Sequence, residues 1–182
     1  GRHLLELVDD IIDISTVEAG TIKLVKENID LTEMFELCLA LVRERAAEVG
    51  VELGFAVEEG TPRLRADSVK LKRMLLNLLT NAIKFTPSAG RVSVSAKAGG
   101  REAVCITVAD TGIGIAAEEI ERVLEPFGQA NLPTEMNREG IGLGLYLTKS
   151  LIYAHGGWLE IVSDVDSGTS ITLTFPSPVL AG

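Results

Sequence analysis

Apolar residues recur at Leu4, Leu7, Ile11 and Ile14, three and four positions apart, with Leu5, Val8 and Ile12 widening the stripe. This interval predicts a helix over residues 4–18 with a coiled-coil-like seam that must be buried against something. Gly20 ends it and marks a boundary between a helical appendage and a globular domain. The period then changes: Ile22, Leu24, Ile29 and Leu31 predict a strand over 22–31. Residues 32–49 are amphipathic and helical, ending at Gly50, and 51–57 alternate as a strand with Leu53, Phe55 and Val57 on one face.

A short strand over 63–66 follows Pro62, and Asp67 or Ser68 is placed to cap a long helix that runs to Phe85 and stops before Pro87. Strands over 91–98 and 103–110 flank Gly99-Gly100 as a hairpin. A short helix over 116–124, a loop rich in proline and glycine, a helix over 143–155 closed by Gly156-Gly157, and strands over 158–163 and 170–175 complete the pattern. Strands and helices mix without regular βαβ alternation. The expected fold is therefore α+β, a two-layer sandwich with helices on one face of a mixed, largely antiparallel sheet.

Composition narrows the function classes. A formal charge of −9 argues against a nucleic-acid or anionic-membrane surface, so a polyanionic ligand must be met by local donors. Cys38 and Cys105 lie in apolar runs without metal-ligand spacing, and read as core residues in a reducing compartment. No apolar stretch reaches the roughly 20 residues of a membrane span, and no signal peptide is visible, so a cytoplasmic setting is expected, or the cytoplasmic part of a larger sensor.

Four places invite a chemical reading. Asn77, Asn81 and Lys84 form one polar line on an otherwise apolar helix, extended backwards by Lys70 and Arg73. For Lys70 and Arg73 a solvated face is the simpler reading. For the asparagines it is not, because Asn is a poor mid-helix residue; amide oxygens beside a lysine suit hydrated Mg²⁺ and phosphate. Asp110 shares a face with Val104, Ile106 and Val108. A carboxylate there needs donors, which a core lysine or the amine of a bound purine supplies equally well. The glycines of Asp110-Thr111-Gly112-Ile113-Gly114 also fit an ordinary turn. Gly140-Ile141-Gly142-Leu143-Gly144 precedes a helix, where backbone N–H groups suit phosphate, but a loop and not a strand leads into it. Thr169 shares the inner face of the last strand with Ile171, Leu173 and Phe175, and its hydroxyl needs a partner.

In that order the four pieces resemble the N, G1, G2 and G3 boxes of the GHKL (Bergerat-fold) ATP-binding domains, and most closely those of sensor histidine kinases. Asn77 to Thr86 resembles the N box, Asp110 to Gly114 the G1 box, Glu125-Pro126-Phe127 the F box, and Gly140 to Gly144 the G2 box. His155-Gly156-Gly157, followed by Gly168-Thr169, resembles the closing pattern. The resemblance spans roughly residues 22–176. It implies that Asp110 binds the adenine amine with Thr169 supporting it through water, that Asn81 coordinates Mg²⁺ bridging the phosphates, that Asn77 orders that shell, and that Lys84 touches phosphate. Gly112, Gly114, Phe127, Gly140, Gly142 and Gly144 complete the ATP-binding set, and residues 126–142 form a nucleotide-ordered lid. Residues 1–20 resemble the end of the second dimerisation helix, so the implied domains are 1–20 and 21–178. The implied partners are a phosphoacceptor helix, a response-regulator receiver domain and a second copy of the kinase.

Gyrase-type, chaperone-type and serine-kinase relatives carry a glutamate base four residues before the Mg²⁺-binding asparagine. Asn77 occupies that position and cannot take a proton, which favours a histidine acceptor and slow ATP hydrolysis. His3 lacks the acidic-Arg-Pro context of a phosphorylated histidine. His155, ending a helix, reads as structural, where a cation suits the dipole and an imidazole can bond a carbonyl. An ATP-driven conformational module and a catalytically silent nucleotide-binding scaffold stand as the rival classes.

Overall fold

The computed structural model describes residues 2–130 and 140–176, with side chains from residue 4 onward. Residues 131–139 of the expected lid and the side chain of His3 lie outside the described residues. Helix α1 spans Arg2–Glu18 and precedes β1 (Lys26–Ile29), α2 (Leu31–Val49), β2 (Glu52–Val57), β3 (Leu64–Asp67) and α3 (Ser68–Phe85). Strands β4 (Arg91–Ala98) and β5 (Val104–Asp110), short α4 (Ile120–Val123), α5 (Gly144–Ala154), β6 (Trp158–Asp164) and β7 (Gly168–Phe175) follow.

The main sheet has the order β2-β4-β5-β7-β6. Only β2–β4 is parallel; the other three pairs are antiparallel. Its inner face, Val92, Val94, Ile106, Val108, Ile171 and Leu173, is buried beneath α3 residues Leu71, Leu75, Leu78 and Leu79 and α5 residues Leu147 and Leu151. The expected α+β sandwich is therefore present. Strands β1 and β3 make a separate two-stranded antiparallel sheet.

Four expectations need correction. The strand expected over 22–31 covers only Lys26–Ile29, because Asp30 caps α2, its carboxylate accepting the Glu33 N–H at 3.1 Å, and Leu31 is the first helical residue. The hairpin after β4 is not closed by two glycines alone: a turn of 3₁₀ helix over Gly100–Glu102 intervenes, with positive φ at Arg101 and Glu102. The strand expected over 51–57 begins at Glu52; on its shared face Leu53 packs on the core and the exposed Phe55 ring meets Phe35 edge-on at 6.4 Å, while Val57 is exposed. Lys70 and Arg73 are not a solvated face. Lys70 Nζ lies 2.8 Å from Asp13 of α1, and Arg73 pairs with both Asp10 and Asp13.

Those ion pairs dock α1 on the body of the domain, helped by Ile14 and Val17 against the core and by Tyr146, whose hydroxyl donates to Glu18 at 2.5 Å. The rest of the predicted seam stays open, with Leu4 69% and Ile11 53% exposed. Among the described residues no helix is long and apolar enough to cross a membrane. Both cysteines are free thiols, and burial pushes Cys38 up to about 11, the nearby Lys72 lowering it less.

Candidate functional site

Asp110 ends β5, where the ladder pairs it with Thr169 of β7. Its Oδ1 accepts the Gly112 N–H at 2.8 Å and the Thr169 N–H at 3.2 Å. Burial pushes this carboxyl above the usual carboxylate range, and the two N–H groups only partly offset it. Both address Oδ1, which leaves Oδ2 as the acceptor for a further donor. The hydroxyl of Thr169 meets Ser163 Oγ at 2.8 Å, and Ser163 also accepts the Ile115 N–H at 2.8 Å. One hydroxyl of β6 thus joins the start of β7 to the turn after β5.

That turn is held close on every side. The Ile113 N–H donates to the Phe85 carbonyl at 3.2 Å, linking it to the end of α3, and the Asp166 N–H donates to the Ile113 carbonyl at 2.8 Å. A methyl at Gly112 would sit 2.5 Å from the Phe85 carbonyl oxygen and 2.7 Å from Asp110 Oδ1. Gly114, at φ 71°, has the Asp164 carbonyl where a Cβ would be, so both conformation and space require glycine there.

Helix α3 supplies the second wall. Asp67 caps it, accepting the Lys70 N–H at 3.0 Å, and its buried stripe fixes which way the polar line turns. Asn77 Nδ2 donates to the Gly144 carbonyl at 3.4 Å, and Thr148 donates to the same oxygen at 2.8 Å. A Cβ on Gly144 would lie 3.8 Å from Asn77 Cγ and 3.9 Å from Asn81 Nδ2, so both amides flank the N-terminus of α5. Lys84 Nζ lies over the Phe85 ring at 5.0 Å, and a Cβ on Gly140 would be 3.4 Å from it. The Gly140 carbonyl accepts from Gln129 at 2.8 Å, and Gly142 packs on Phe127 and Gly128 backbone.

Two groupings result: Asp110, Gly112, Gly114 and Thr169 at the sheet edge, and Asn77, Asn81, Lys84, Gly140 and Gly144 between α3 and α5. Gly142 and Phe127 adjoin the second, the Phe127 backbone packing on Gly142 while its side chain is 66% exposed and its φ 61°.

Residues 66–179 match the family of histidine kinase-, DNA gyrase B- and HSP90-like ATPases. The chain belongs to that family. It is 43% identical over 179 residues to the non-motile and phage-resistance protein of Caulobacter vibrioides, covering 97% of this chain and 21% of that protein. A structure of full-length ShkA in complex with AMPPNP superposes with a TM-score of 0.84 at 33% identity, over 96% of this chain and 36% of that one. The mycobacterial sensor histidine kinase MprB gives a TM-score of 0.70 at 32% identity, over 84% of this chain and 97% of that one. Within the ATPase family, then, this is a catalytic domain of the sensor histidine kinase type. The chain spans about a fifth to a third of the length of the curated relatives it matches.

Sequence reasoning missed Ser163, Gln129 and Thr148. Ser163 and Gln129 find partners across turns and strands, which no spacing signals, whereas Thr148 bonds the Gly144 carbonyl four residues back in its own helix, a spacing open to sequence reading. It named His155 as structural and able to bond a carbonyl, and the ring does lie against one. The imidazole is 4% exposed, its Nε2 accepts the Asp67 N–H at 3.2 Å, and Nδ1 lies 2.8 Å from the Leu151 carbonyl. Accepting at Nε2 puts the proton on Nδ1, and burial lowers the pKa, so the ring is neutral.

Proposed function

We propose that this domain binds ATP and moves its γ-phosphoryl group to a histidine on a separate phosphoacceptor helix of a two-component sensor kinase. The observation that carries the reading is Asp110: a half-buried carboxylate with two backbone donors on one oxygen and the other left for a ligand donor, which suits an exocyclic purine amine. Thr169 supports it through the hydroxyl pair with Ser163.

The second grouping suits the phosphates. Asn81 offers an amide oxygen to Mg²⁺, and Asn77 holds the start of α5 while ordering water around the ion. Among the described residues no three His, Cys, Asp or Glu side chains cluster to hold a metal, so asparagine oxygen, phosphate and water are the ligands on offer. When bound, Mg²⁺ neutralises charge developing on the bridged phosphates. Lys84 sits close to Gly140 and brings a cation to the same side, while the Gly140–Gly144 backbone offers N–H groups at the helix N-terminus. Asn77 has no proton to take or give near neutral pH, so this site positions a nucleophile without deprotonating it. A neutral imidazole needs no such base; water does.

Residues 1–20 fit the end of a dimerisation helix, because α1 leaves Leu4, Leu5, Val8, Ile11 and Ile12 exposed along one seam, and 21–178 form the catalytic domain. The seam suits a second copy of the kinase, a response-regulator receiver domain is the expected recipient of the phosphoryl group, and the setting is the cytoplasm. The direct assay supplies γ-labelled ATP and Mg²⁺ with a separate phosphoacceptor helix pair. Acid-labile label on the histidine of that pair, with little free phosphate, is the expected result. Rapid phosphate release without transfer would instead assign the domain to the ATP-driven modules of the family.

A further inference from the structure

Helices α3 and α5 touch at both ends of α5. At one end Asn77 Nδ2 reaches the Gly144 carbonyl at 3.4 Å; at the other the Asp67 N–H reaches His155 Nε2 at 3.2 Å. The early residue of α3 meets the late residue of α5, so the helices run antiparallel. Asp67 and Asn77 are ten residues apart, about 15 Å along a helix, and Gly144 and His155 are eleven apart, about 16 Å. The two contacts therefore match in length along both helices.

We infer that His155 is a positioning residue for the phosphate end of the site: by holding the α3 N-cap, it sets the register of α5 against α3 and so places Gly144 between Asn77 and Asn81. This rests on the nucleotide reading above. Apolar contacts between the two helices resist separation but discriminate poorly against sliding, whereas a hydrogen bond to a single backbone N–H is position-specific. Asp67 is well fixed to receive it. One carboxylate oxygen takes the Lys70 N–H at 3.0 Å, the other takes the Val25 N–H at 3.0 Å, and the residue is buried. The imidazole is equally held, by the Leu151 carbonyl on Nδ1 and by the edge-to-face Phe175 ring, centroids 5.6 Å apart. The adenine end lies where Asp110 pairs with Thr169, at the opposite end of the β5–β7 ladder from Phe175, which pairs with Val104.

Two amide replacements separate the roles. In His155→Gln the terminal oxygen reaches the position of Nε2 and still accepts from Asp67. In His155→Asn the amide reaches only the position of Nδ1, keeping the Leu151 contact and losing Asp67. Calorimetric titration of the full chain with AMP-PNP and, separately, with adenosine reads both ends of the site. Weakening of AMP-PNP by His155→Asn on the order of two- to tenfold is expected, with adenosine unchanged and His155→Gln close to the unmodified protein. Equal weakening of both ligands, or equal loss in both variants, would reduce His155 to a general stability role and overturn the inference. If the unmodified chain bound neither ligand, the nucleotide reading itself would fail, and the inference with it. A variant-free measurement guards against misfolding. By linkage, AMP-PNP must strengthen the contact, so the Asp67 amide exchanges more slowly in its presence than with adenosine. Equal exchange under the two ligands would also overturn the assignment.

Discussion

Asp110, Gly112 and Thr169 are joined by bonds of 2.8 and 3.2 Å within and beside adjacent strands, whereas Asn77 meets Gly144 at 3.4 Å across two helices. The first grouping takes its geometry from a sheet register, in which β5 and β7 pair from Val104↔Phe175 to Asp110↔Thr169. Sliding it by one residue would turn Asp110 to the wrong face, so the core enforces it. The second takes its geometry from a packed helix pair and a glycine-rich turn, which tolerate small shifts at little cost. On the proposed reading, one end of the site is prebuilt for the base and the other adjusts around the phosphates. A domain that must hold ATP firmly and yet release the γ-phosphoryl group is served by that division.

Removing the carboxylate from the prebuilt end is the sharpest way to break the contrast. Asp110→Asn keeps an Oδ1 acceptor for both backbone donors but loses the anionic acceptor, and calorimetry should show ATP-analogue affinity falling on the order of ten- to a hundredfold. Stability should move the other way. The folded-state pKa of Asp110 is raised, so its favourable contribution is complete below about pH 3.9 and lost as pH rises through the raised value. At neutral pH the apo Asp110→Asn domain should denature no earlier in urea than the unmodified one. At the adjustable end, Asn81→Ala should lower affinity for the Mg²⁺–nucleotide about tenfold while leaving the Mg²⁺-free affinity unchanged, which titration with and without EDTA checks.

Smaller effects belong to the scaffold. Arg73→Ala removes both ion pairs to Asp10 and Asp13 and should cost about 1 kcal/mol or less, seen as faster amide exchange along α1 that added salt reproduces in the unmodified protein. Smallest is the pH response of the helix junction, where Lys26 and Asp67 are the charged neighbours of His155. Its depressed pKa means that its contribution is present above about pH 6.5 and lost as pH falls through the folded value. Burial raises Asp67, but the Lys70 and Val25 N–H groups and the charges of His155 and Lys70 outweigh it. Its net lowered pKa gives a contribution present above about pH 3.9 and lost as pH falls through the folded value. A loss of stability as pH falls below about 6.5 in urea titrations should therefore vanish in His155→Gln while the lower acid transition remains.

Much of this was legible in the pattern of residues. The α3 cap at Asp67, the Gly50 stop with φ 73°, and the shared inward face of Asp110 and Thr169 all follow from period and local chemistry. What was not legible is pairing between distant elements. Lys70 and Arg73 look solvated on their own helix because Asp10 and Asp13 lie about sixty residues earlier. Leu31 was assigned to a strand because alternation continued through it, although the Asp30 carboxylate already commits the chain to a helix. His155 reads as structural from its helix end, but its bond to Asp67 and its packing on Phe175 join distant elements that no spacing signals.

The most direct measurement is calorimetric titration of this chain and of Asp110→Asn with a non-hydrolysable ATP analogue, with and without Mg²⁺. Micromolar-range binding that Mg²⁺ strengthens and the substitution weakens on the order of ten- to a hundredfold is the predicted result. Absence of binding by the unmodified chain would contradict the account, leaving a domain of the ATPase fold that serves as a scaffold.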